Sequence, residues 1–258
     1  MYVRAKKALG QHFLKDLKIA QRIVEILPLP VDLSQRTSVL EVGPGTGVLT
    51  QYLLNENRIN PLFIEVDKES IKYLRATYPS IDKRLIEGDF LKTDLSGLFS
   101  GEFFIIGNFP YNISSQILFK VLDYKEQIPV VVGMFQKEVA MRIASPPGNK
   151  DYGILSVLLQ AWYYVEYLFT VDEGSFLPPP KVKSAVIRVT RNSRESLGCD
   201  EILFKKIVKA TFNQRRKTIR NSIKAVAGGG ILKESPLLAL RPEQLSVEQF
   251  VELTNLFS

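Results

Sequence analysis

The stretch Glu41-Val-Gly-Pro-Gly-Thr-Gly47 indicates the fold of this chain. It closes a short apolar run, residues 38–42, and opens a segment with helical spacing, residues 48–54. Glycines at such a strand-to-helix turn let the backbone approach a bound ligand closely. Glu65 ends the next predicted strand, about 20 residues further on, where a carboxylate can accept hydrogen bonds from a ribose diol. The pattern fits a site for NAD or S-adenosylmethionine, and a glycine turn without a ligand remains the alternative.

Strand-like and helix-like segments alternate on both sides of this motif. The predicted strands are 38–42, 62–66, 84–87, 103–106 and 129–135, and the predicted helices are 16–27, 48–54, 69–78 and 113–122. This alternation predicts an α/β fold with a parallel, doubly wound sheet. Two further strands, 162–171 and 182–190, are joined by a loop too short for a crossover helix, so we expect that pair to be antiparallel.

The pattern changes to helices near residue 192. Predicted helices cover residues 201–212, 217–226 and 247–256. We therefore predict two domains, residues 1–190 and a small helical domain of residues 191–258.

The composition excludes several classes of protein. The single cysteine, Cys199, excludes an internal disulfide, and the single histidine, His12, excludes a two-histidine metal site. The longest uncharged run, residues 103–119, is interrupted by asparagine, proline and serine, so it is no membrane span. We expect a cytoplasmic protein with no metal, no membrane association and no secretory signal.

Basic residues are concentrated in two segments. Residues 1–18 hold five Lys and Arg and one acid, whereas residues 205–224 hold eight Lys and Arg and no acid. Such clusters are typical of surfaces that bind nucleic acid, although solvated helix faces have the same composition. In the second cluster we expect Arg215, Arg216, Lys217 and Arg220 to contact phosphates.

The fourth predicted strand is followed by Asn108-Phe109-Pro110-Tyr111, and the third by Asp89. Asn-x-Pro-Tyr is the pattern of methyltransferases that act on amino groups. The amide oxygen of Asn108 and the main-chain carbonyl of Phe109 can accept from an exocyclic NH₂ group as it becomes tetrahedral and cationic, while Tyr111 stacks on the base. Asp89 can accept from the adenine of the cofactor, or it can be a turn cap. The motif favours S-adenosylmethionine over NAD.

Over nearly its whole length the sequence resembles the bacterial small-subunit rRNA adenine-N6,N6-dimethyltransferase family. The segments that carry the resemblance are residues 7–14, 41–47, 65, 88–89, 108–114, 136–140, 176–186 and 212–222. The last two segments lie outside the expected cofactor fold, and they favour this family over methyltransferases in general.

The resemblance implies a Rossmann-like S-adenosylmethionine-dependent methyltransferase fold with a seven-stranded mixed sheet and a small C-terminal helical domain. It implies cofactor contacts at His12, Leu14, Gly43, Glu65, Asp89 and Asn108, with His12 in a segment that closes over the cofactor. The implied substrate is a pair of adjacent adenines in a 3′-terminal hairpin loop of small-subunit rRNA, within an immature subunit. Phe176 is expected to be a second aromatic wall opposite Tyr111, with core packing as the alternative, and we expect a monomer.

Two positions depart from the family pattern. Phe109 stands where the family more often has Leu, which leaves the shape of the pocket open. Lys183 stands where the family often has Asp, so no role of that Asp can be transferred.

Three alternative functions remain. A large-subunit rRNA adenine methyltransferase of the macrolide-resistance type shares the cofactor motifs. A non-catalytic ribosome-assembly or transcription factor could keep the fold only to bind RNA. A DNA adenine methyltransferase is disfavoured, because the chain has no separate base-reading domain. A further alternative for Arg215 or Arg216 is that it holds the helical domain to the methyltransferase domain.

Overall fold

The computed structural model describes residues 3–226 and 234–257. The chain divides into two compact units. The first unit comprises Met1–Ala140 with Glu166–Arg191, and the second comprises Met141–Val165 with Asn192–Ser258.

In chain order the strands are β1 Phe13–Leu14, β2 Thr37–Val42, β3 Ile59–Glu65, β4 Leu85–Glu87, β5 Phe104–Asn108, β6 Val130–Gln136, β7 Tyr163–Val171, β8 Phe176–Leu177 and β9 Ser184–Arg191. The α-helices are α1 Leu17–Glu25, α2 Thr50–Asn55, α3 Lys68–Thr77, α4 Ser114–Asp123, α5 Lys137–Ala144, α6 Ile154–Gln160, α7 Glu201–Asn213, α8 Ile219–Ser222 and α9 Val247–Asn255.

The main sheet has seven strands in the order β4-β3-β2-β5-β6-β9-β7. Strands β2 to β6 run parallel, and β9 is antiparallel to β6, with Met134 opposite Val186. Parallel strands are covered on both faces, which explains the nearly continuous apolar sequence of β6, Val-Val-Val-Gly-Met-Phe. The predicted α/β class and mixed seven-stranded sheet are confirmed, and β7 and β9 are neighbours as expected.

The strand order reverses next to β2. The chain passes from β2 outward to β3 and β4, and then returns to place β5 on the other side of β2. A crevice forms at such a reversal, beyond the carboxyl ends of the strands, and it is where open α/β sheets bind ligands. The residues that follow β2 and end β5 are Gly43 and Asn108. The topology therefore brings the glycine turn beside the Asn-Phe-Pro-Tyr motif.

A second, two-stranded sheet joins the N-terminal segment to the loop before β9. Strand β1 pairs antiparallel with β8, with Phe13 opposite Leu177 and Leu14 opposite Phe176. Leu14 and Phe176 are buried in the core of the first unit, at 2% and 1% exposure. This burial fixes the path of the chain immediately after His12.

In the second unit, α6 packs against α7 and α9. Residues 141–165 therefore group with the C-terminal helices, whereas the sequence prediction of domains 1–190 and 191–258 placed them in the first domain. The physical reason is the apolar surface of α6, where Leu155, Val157 and Leu159 are buried. The predicted helix 217–226 is shorter than expected: α8 is followed by a 3₁₀ turn, Ile223–Ala225.

No helix in the described part of the chain is both long enough and apolar enough to cross a membrane.

Candidate active site

A cavity lies in the first unit at the carboxyl edge of β2 and β5. Of the residues predicted for cofactor or catalysis, those that line it are His12, Gly43, Glu65, Asp89, Asn108, Phe109 and Tyr111. The structure thus brings together seven residues that span almost 100 positions of sequence. Their roles remain predictions, whereas their proximity is a property of the fold.

The glycine turn forms one wall of this cavity. Gly43 and Gly45 have φ angles of +69° and +58°, a left-handed backbone conformation that residues with a side chain rarely adopt. A Cβ at Gly45 would stand 2.9 Å from the ring of Phe13, while a Cβ at Gly43 would meet nothing within 4 Å. Gly43 therefore presents bare backbone to open space in the cavity.

Glu65 is buried next to this turn, at 4% exposure. Its Oε2 accepts from the backbone N–H of Gly45 (3.0 Å), and its Oε1 accepts from those of Val66 (2.8 Å) and Asp67 (2.9 Å). Burial raises the pKa of the Glu65 carboxyl, and the three N–H groups oppose that shift. The carboxylate is held rigidly at the end of β3, as recognition of a diol requires.

A second buried acid, Glu41, lies in β2 below the turn. Its Oε2 accepts from the hydroxyl of Thr50 at 2.7 Å. Burial raises the pKa of Glu41 to about 8. Glu41 belongs to the glycine motif, but the sequence pattern alone predicts no role for it.

Asp89 serves as a turn cap and still lines the cavity. Its Oδ1 accepts from the backbone N–H of Leu91 at 2.9 Å, and Nζ of Lys92 is 3.9 Å from Oδ2. Lys120, on α4, donates to the carbonyl of Thr93 and lies 5.3 Å from the ring centroid of Phe90. Lys120 thus supports the loop that carries Asp89, a contribution that sequence reasoning missed because it links two distant segments.

The amide of Asn108 has a defined orientation. Its Nδ2 donates to the main-chain carbonyl of His12 at 2.9 Å. Because Nδ2 faces this carbonyl, Oδ1 must point in the opposite direction. The hydrogen bond therefore fixes the orientation of the Asn108 amide. Within the described chain no donor contacts Oδ1, which is left as an acceptor at the cavity.

Phe109 supplies a second hydrogen-bond acceptor. The packing of its ring also explains how the fold accommodates Phe where the family more often has Leu. Its N–H donates to the carbonyl of Met134 (3.2 Å), and its own carbonyl accepts from no described group. The ring, at 1% exposure, lies over Gly107 and Gly133, which face each other in β5 and β6. A Cβ at Gly133 would stand 2.0 Å from Cε2 of the ring. The larger side chain is therefore accommodated by two glycines and not by the cavity.

Tyr111 is held at both ends. Its hydroxyl hydrogen-bonds to Oγ of Ser184, which is fully buried, and its ring stacks on His12 with centroids 5.3 Å apart. Burial raises the pKa of the Tyr111 phenol, so it is neutral at physiological pH. One face of the ring is covered by His12, and a base could stack only on the other face.

The N-terminal segment covers the cavity and is attached at several points. Lys6 forms ion pairs with Asp67 and Glu69, the latter at 3.1 Å. Nδ1 of His12 lies 2.8 Å from the carbonyl oxygen of Pro178, so it is the protonated nitrogen of the ring. Residues 9–13 of this segment line the cavity, and their closure over a cofactor remains a prediction.

Comparison with known proteins identifies the family. The model of the ribosomal RNA adenine dimethylase family matches residues 2–258. The chain belongs to this family. It is 62% identical over 257 residues to the ribosomal RNA small subunit methyltransferase A of Parabacteroides distasonis, covering 98% of this chain and 93% of that protein.

Two solved structures extend the comparison. A dimethyladenosine transferase from Plasmodium falciparum superposes with a TM-score of 0.75 at 25% identity, covering 94% of this chain and 96% of that one. The 23S rRNA methyltransferase ErmE superposes with a TM-score of 0.66 at 27% identity, covering 94% and 99%. The predicted family, enzyme class and methyltransferase fold are confirmed.

Not every residue carried over from the family reaches the cavity of this dimethylase. The side chains of Leu14 and Phe176 are in the core and do not line the cavity. The structure does not place Phe176 as an aromatic wall opposite Tyr111; it shows the alternative, core packing. Lys183, the other departure from the family pattern, forms an ion pair with Asp172, with Nζ and Oδ1 2.7 Å apart.

The predicted phosphate contacts in the second unit fall into two groups. Arg215 donates to the carbonyl of Asn149 (3.3 Å) and lies 3.7 Å from Glu243, and Arg220 makes a two-point ion pair with Glu234. Arg216 and Lys217 are exposed and pair with no described residue. Acids distant in sequence thus neutralise two of the four cations, and only Arg216 and Lys217 remain available for RNA without rearrangement.

Proposed function

We propose that this dimethylase transfers methyl groups from S-adenosylmethionine to N6 of two adjacent adenines in a 3′-terminal hairpin loop of small-subunit rRNA. The product is N6,N6-dimethyladenosine, made during maturation of the subunit. The observation that carries the proposal is a pair of acceptors at the cavity to which no described residue donates, Oδ1 of Asn108 and the carbonyl of Phe109.

These two acceptors fit the demands of methylation at an amino group. The N6 amino group of adenine has two N–H bonds, and each acceptor can accept a hydrogen bond from one of them. The nitrogen gains positive charge as its lone pair forms the new bond, so preplaced carbonyl dipoles stabilise the transition state more than the ground state. The first methylation replaces one proton, and the amino group still has one N–H for the second.

Tyr111 orients the base in this proposal. The hydrogen bond to Ser184 and the stack on His12 fix the ring, so an adenine on its free face is directed toward Asn108. The target base must leave its stack to enter, and a hairpin loop makes that step less costly than a duplex does.

The residues of the cavity also fit S-adenosylmethionine, whose sulfonium supplies an activated methyl group. Glu65 would accept from the ribose hydroxyls, Asp89 from the adenine amino group, and the bare backbone at Gly43 leaves room for close approach. Leu14 can contribute only through the backbone that places His12, because its side chain is buried in the core.

A small-subunit substrate is favoured over the large-subunit alternative. The 62% identical relative is named for the small subunit, whereas the 23S enzyme is 27% identical. The free acceptors at Asn108 and Phe109 favour an enzyme over a non-catalytic assembly factor. We further propose that Arg216 and Lys217 contact phosphates of the immature subunit, and that the protein acts as a monomer in the cytoplasm, where ribosomal RNA is modified.

The test is methyl transfer from labelled S-adenosylmethionine to unmethylated small subunits, followed by mapping of the modified bases. Asn108→Ala should lower the single-turnover rate by ~10²–10³, with a modest change in cofactor affinity. Asn55→Ala, an exposed asparagine of α2 outside the cavity, is the matched control. A near-normal rate for Asn108→Ala would refute the proposed role, methylation of large subunits alone would favour the rival enzyme, and cofactor binding without transfer would favour an assembly factor.

A further inference from the structure

A second groove lies in the first unit on the other side of the N-terminal segment. Residues of four parts of the chain line it: the N-terminal segment with the start of α1, the turn before α2 with the start of α2, α3 with the residue after it, and the end of β8 with Pro178. Phe13 lines both this groove and the active-site cavity. The two spaces are therefore separated by one short stretch of chain.

The charge of the groove is positive. Among the described residues that line it, the charged ones are Arg4 and Lys15, and both side chains are exposed. Neither makes an ion pair or a side-chain hydrogen bond with any described residue, unlike Lys6, which is paired with Asp67 and Glu69. Two unpaired cations without an acid among those residues indicate an anionic occupant.

The remaining surface of the groove is apolar and aromatic. Leu17 and Leu177 contribute to it, and each is 52% exposed. Tyr73 and Tyr78 contribute from α3 and its end, and the hydroxyl of Tyr78 donates to the carbonyl of Gly47 at 3.2 Å. Tyrosine rings beside unpaired cations are the combination that binds unstacked nucleotides, because the rings stack on bases while the cations attract phosphates.

The groove is continuous with the contacts that hold the active site. Pro178 lines the groove, and its carbonyl accepts from the ring of His12, which stacks on Tyr111 in the cavity. The contacts of His12 therefore connect the wall of the cavity at Tyr111 to the edge of the groove at Pro178. A nucleotide next to an adenine at Tyr111 would therefore lie within reach of the groove.

We propose that the groove binds an unpaired ribonucleotide that flanks the target adenine, with its phosphates at Arg4 and Lys15 and its base against Tyr73 or Tyr78. The assignment rests on the proposed function, since it takes RNA as the substrate. It adds a binding site outside the methyl-transfer cavity, one that contributes to affinity and to the choice of strand and not to the chemical step.

The experiment measures binding of a fluorescently labelled single-stranded oligouridylate to the full chain by anisotropy over a range of salt. Uridine offers no adenine N6, so the probe reports on the groove separately from methyl transfer. Arg4→Gln with Lys15→Gln should weaken binding and reduce the slope of log K against log salt by about 0.7 for each phosphate that is no longer neutralised. The control is Lys7→Gln with Lys18→Gln, which removes the same charge from nearby positions that do not line the groove.

A second pair of variants tests the aromatic contact. Tyr73→Leu should weaken binding of the oligouridylate by roughly 5–100-fold, whereas Tyr73→Phe, which keeps the ring, should stay near wild type. A 4-thiouridine version of the probe should crosslink to Tyr73 or Tyr78.

Three results would overturn the proposal. Equal losses of affinity for the groove variant and its control would mean that the charge acts only nonspecifically. Crosslinks confined to residues outside the groove would place the strand elsewhere. Displacement of the probe by an oligoglutamate peptide as effectively as by unlabelled RNA would assign the groove to an acidic protein segment. The proposed function fails separately, through absence of methyl transfer to small subunits by the wild-type chain.

Discussion

Replacement of Gly133 by Ala tests whether the pair of facing glycines is what admits Phe109. A Cβ at this position would stand 2.0 Å from Cε2, 2.6 Å from Cδ2 and 3.0 Å from Cζ of the Phe109 ring. The first of these distances is about 1.5 Å shorter than an ordinary carbon–carbon separation. The ring also packs on Phe135, with centroids 4.9 Å apart, which restricts its movement away from the new methyl group.

We expect Gly133→Ala to lower the free energy of unfolding by about 3 kcal/mol, at the upper end of the cost of overpacking a core. Phe109→Leu removes Cε2 and Cζ, and alone it should cost about 1 kcal/mol. The double variant should be more stable than the sum of the two single effects predicts, by about 1–2 kcal/mol.

Urea denaturation of the four proteins measures this coupling. Gly97→Ala is the control, because a Cβ there would meet nothing within 4 Å, and it should change stability by less than about 0.5 kcal/mol. Strictly additive effects in the double variant, or a Gly133→Ala protein as stable as wild type, would show that the two glycines are not needed to accommodate the Phe109 ring. The single-turnover rate should fall with Gly133→Ala as well, since Asn108 and Phe109 are consecutive.

Three further outcomes follow from the site and from the second unit. The folded state keeps a proton on Glu41 up to about pH 8, while the unfolded chain releases it near pH 4.5, so the free energy of unfolding should fall as pH rises between these values. Glu41→Gln should flatten that decline by at most about 1.4 kcal/mol per pH unit, which urea denaturation at several pH values would measure. Glu65→Ala should weaken S-adenosylmethionine binding by about 1–3 kcal/mol in calorimetry, and unchanged affinity would place the ribose elsewhere. Reversing the charge of Arg216 and Lys217 should weaken binding to small subunits and flatten its salt dependence with cofactor affinity and melting temperature unchanged, whereas a loss of several degrees with an unchanged salt slope would make these residues structural.

Local sequence was enough to predict the sheet and most of the cavity. Strands β2 to β5 are apolar runs that end in, or are followed by, glycine, acid or asparagine, and parallel strands bring such ends to one edge. Gly43, Glu65, Asp89 and Asn108 meet there because each directly ends or follows a strand of that edge. The family resemblance added His12, which has no local pattern to identify it.

The contacts that the sequence did not predict share a different cause: they join residues far apart in the chain. Phe176 looked available because it begins a proline-rich loop, yet pairing of β8 with β1 buries it beside Leu14. Arg220 looked unpaired because its own helix has no acid, yet Glu234 reaches it from a later segment. Neither register nor partner can be obtained from composition or periodicity, since both depend on the assembled fold.

The hydrogen bond from Asn108 to residue 12 is made to the main chain, and this has a consequence for sequence drift. A carbonyl oxygen is present whichever side chain position 12 carries, so evolution can exchange the imidazole without disturbing the orientation of the amide. What cannot drift is the path of the backbone, which the pairing of Leu14 with Phe176 maintains. The orientation of the Asn108 amide therefore depends on the buried neighbours of position 12, whereas the imidazole acts on the site through its stack on Tyr111.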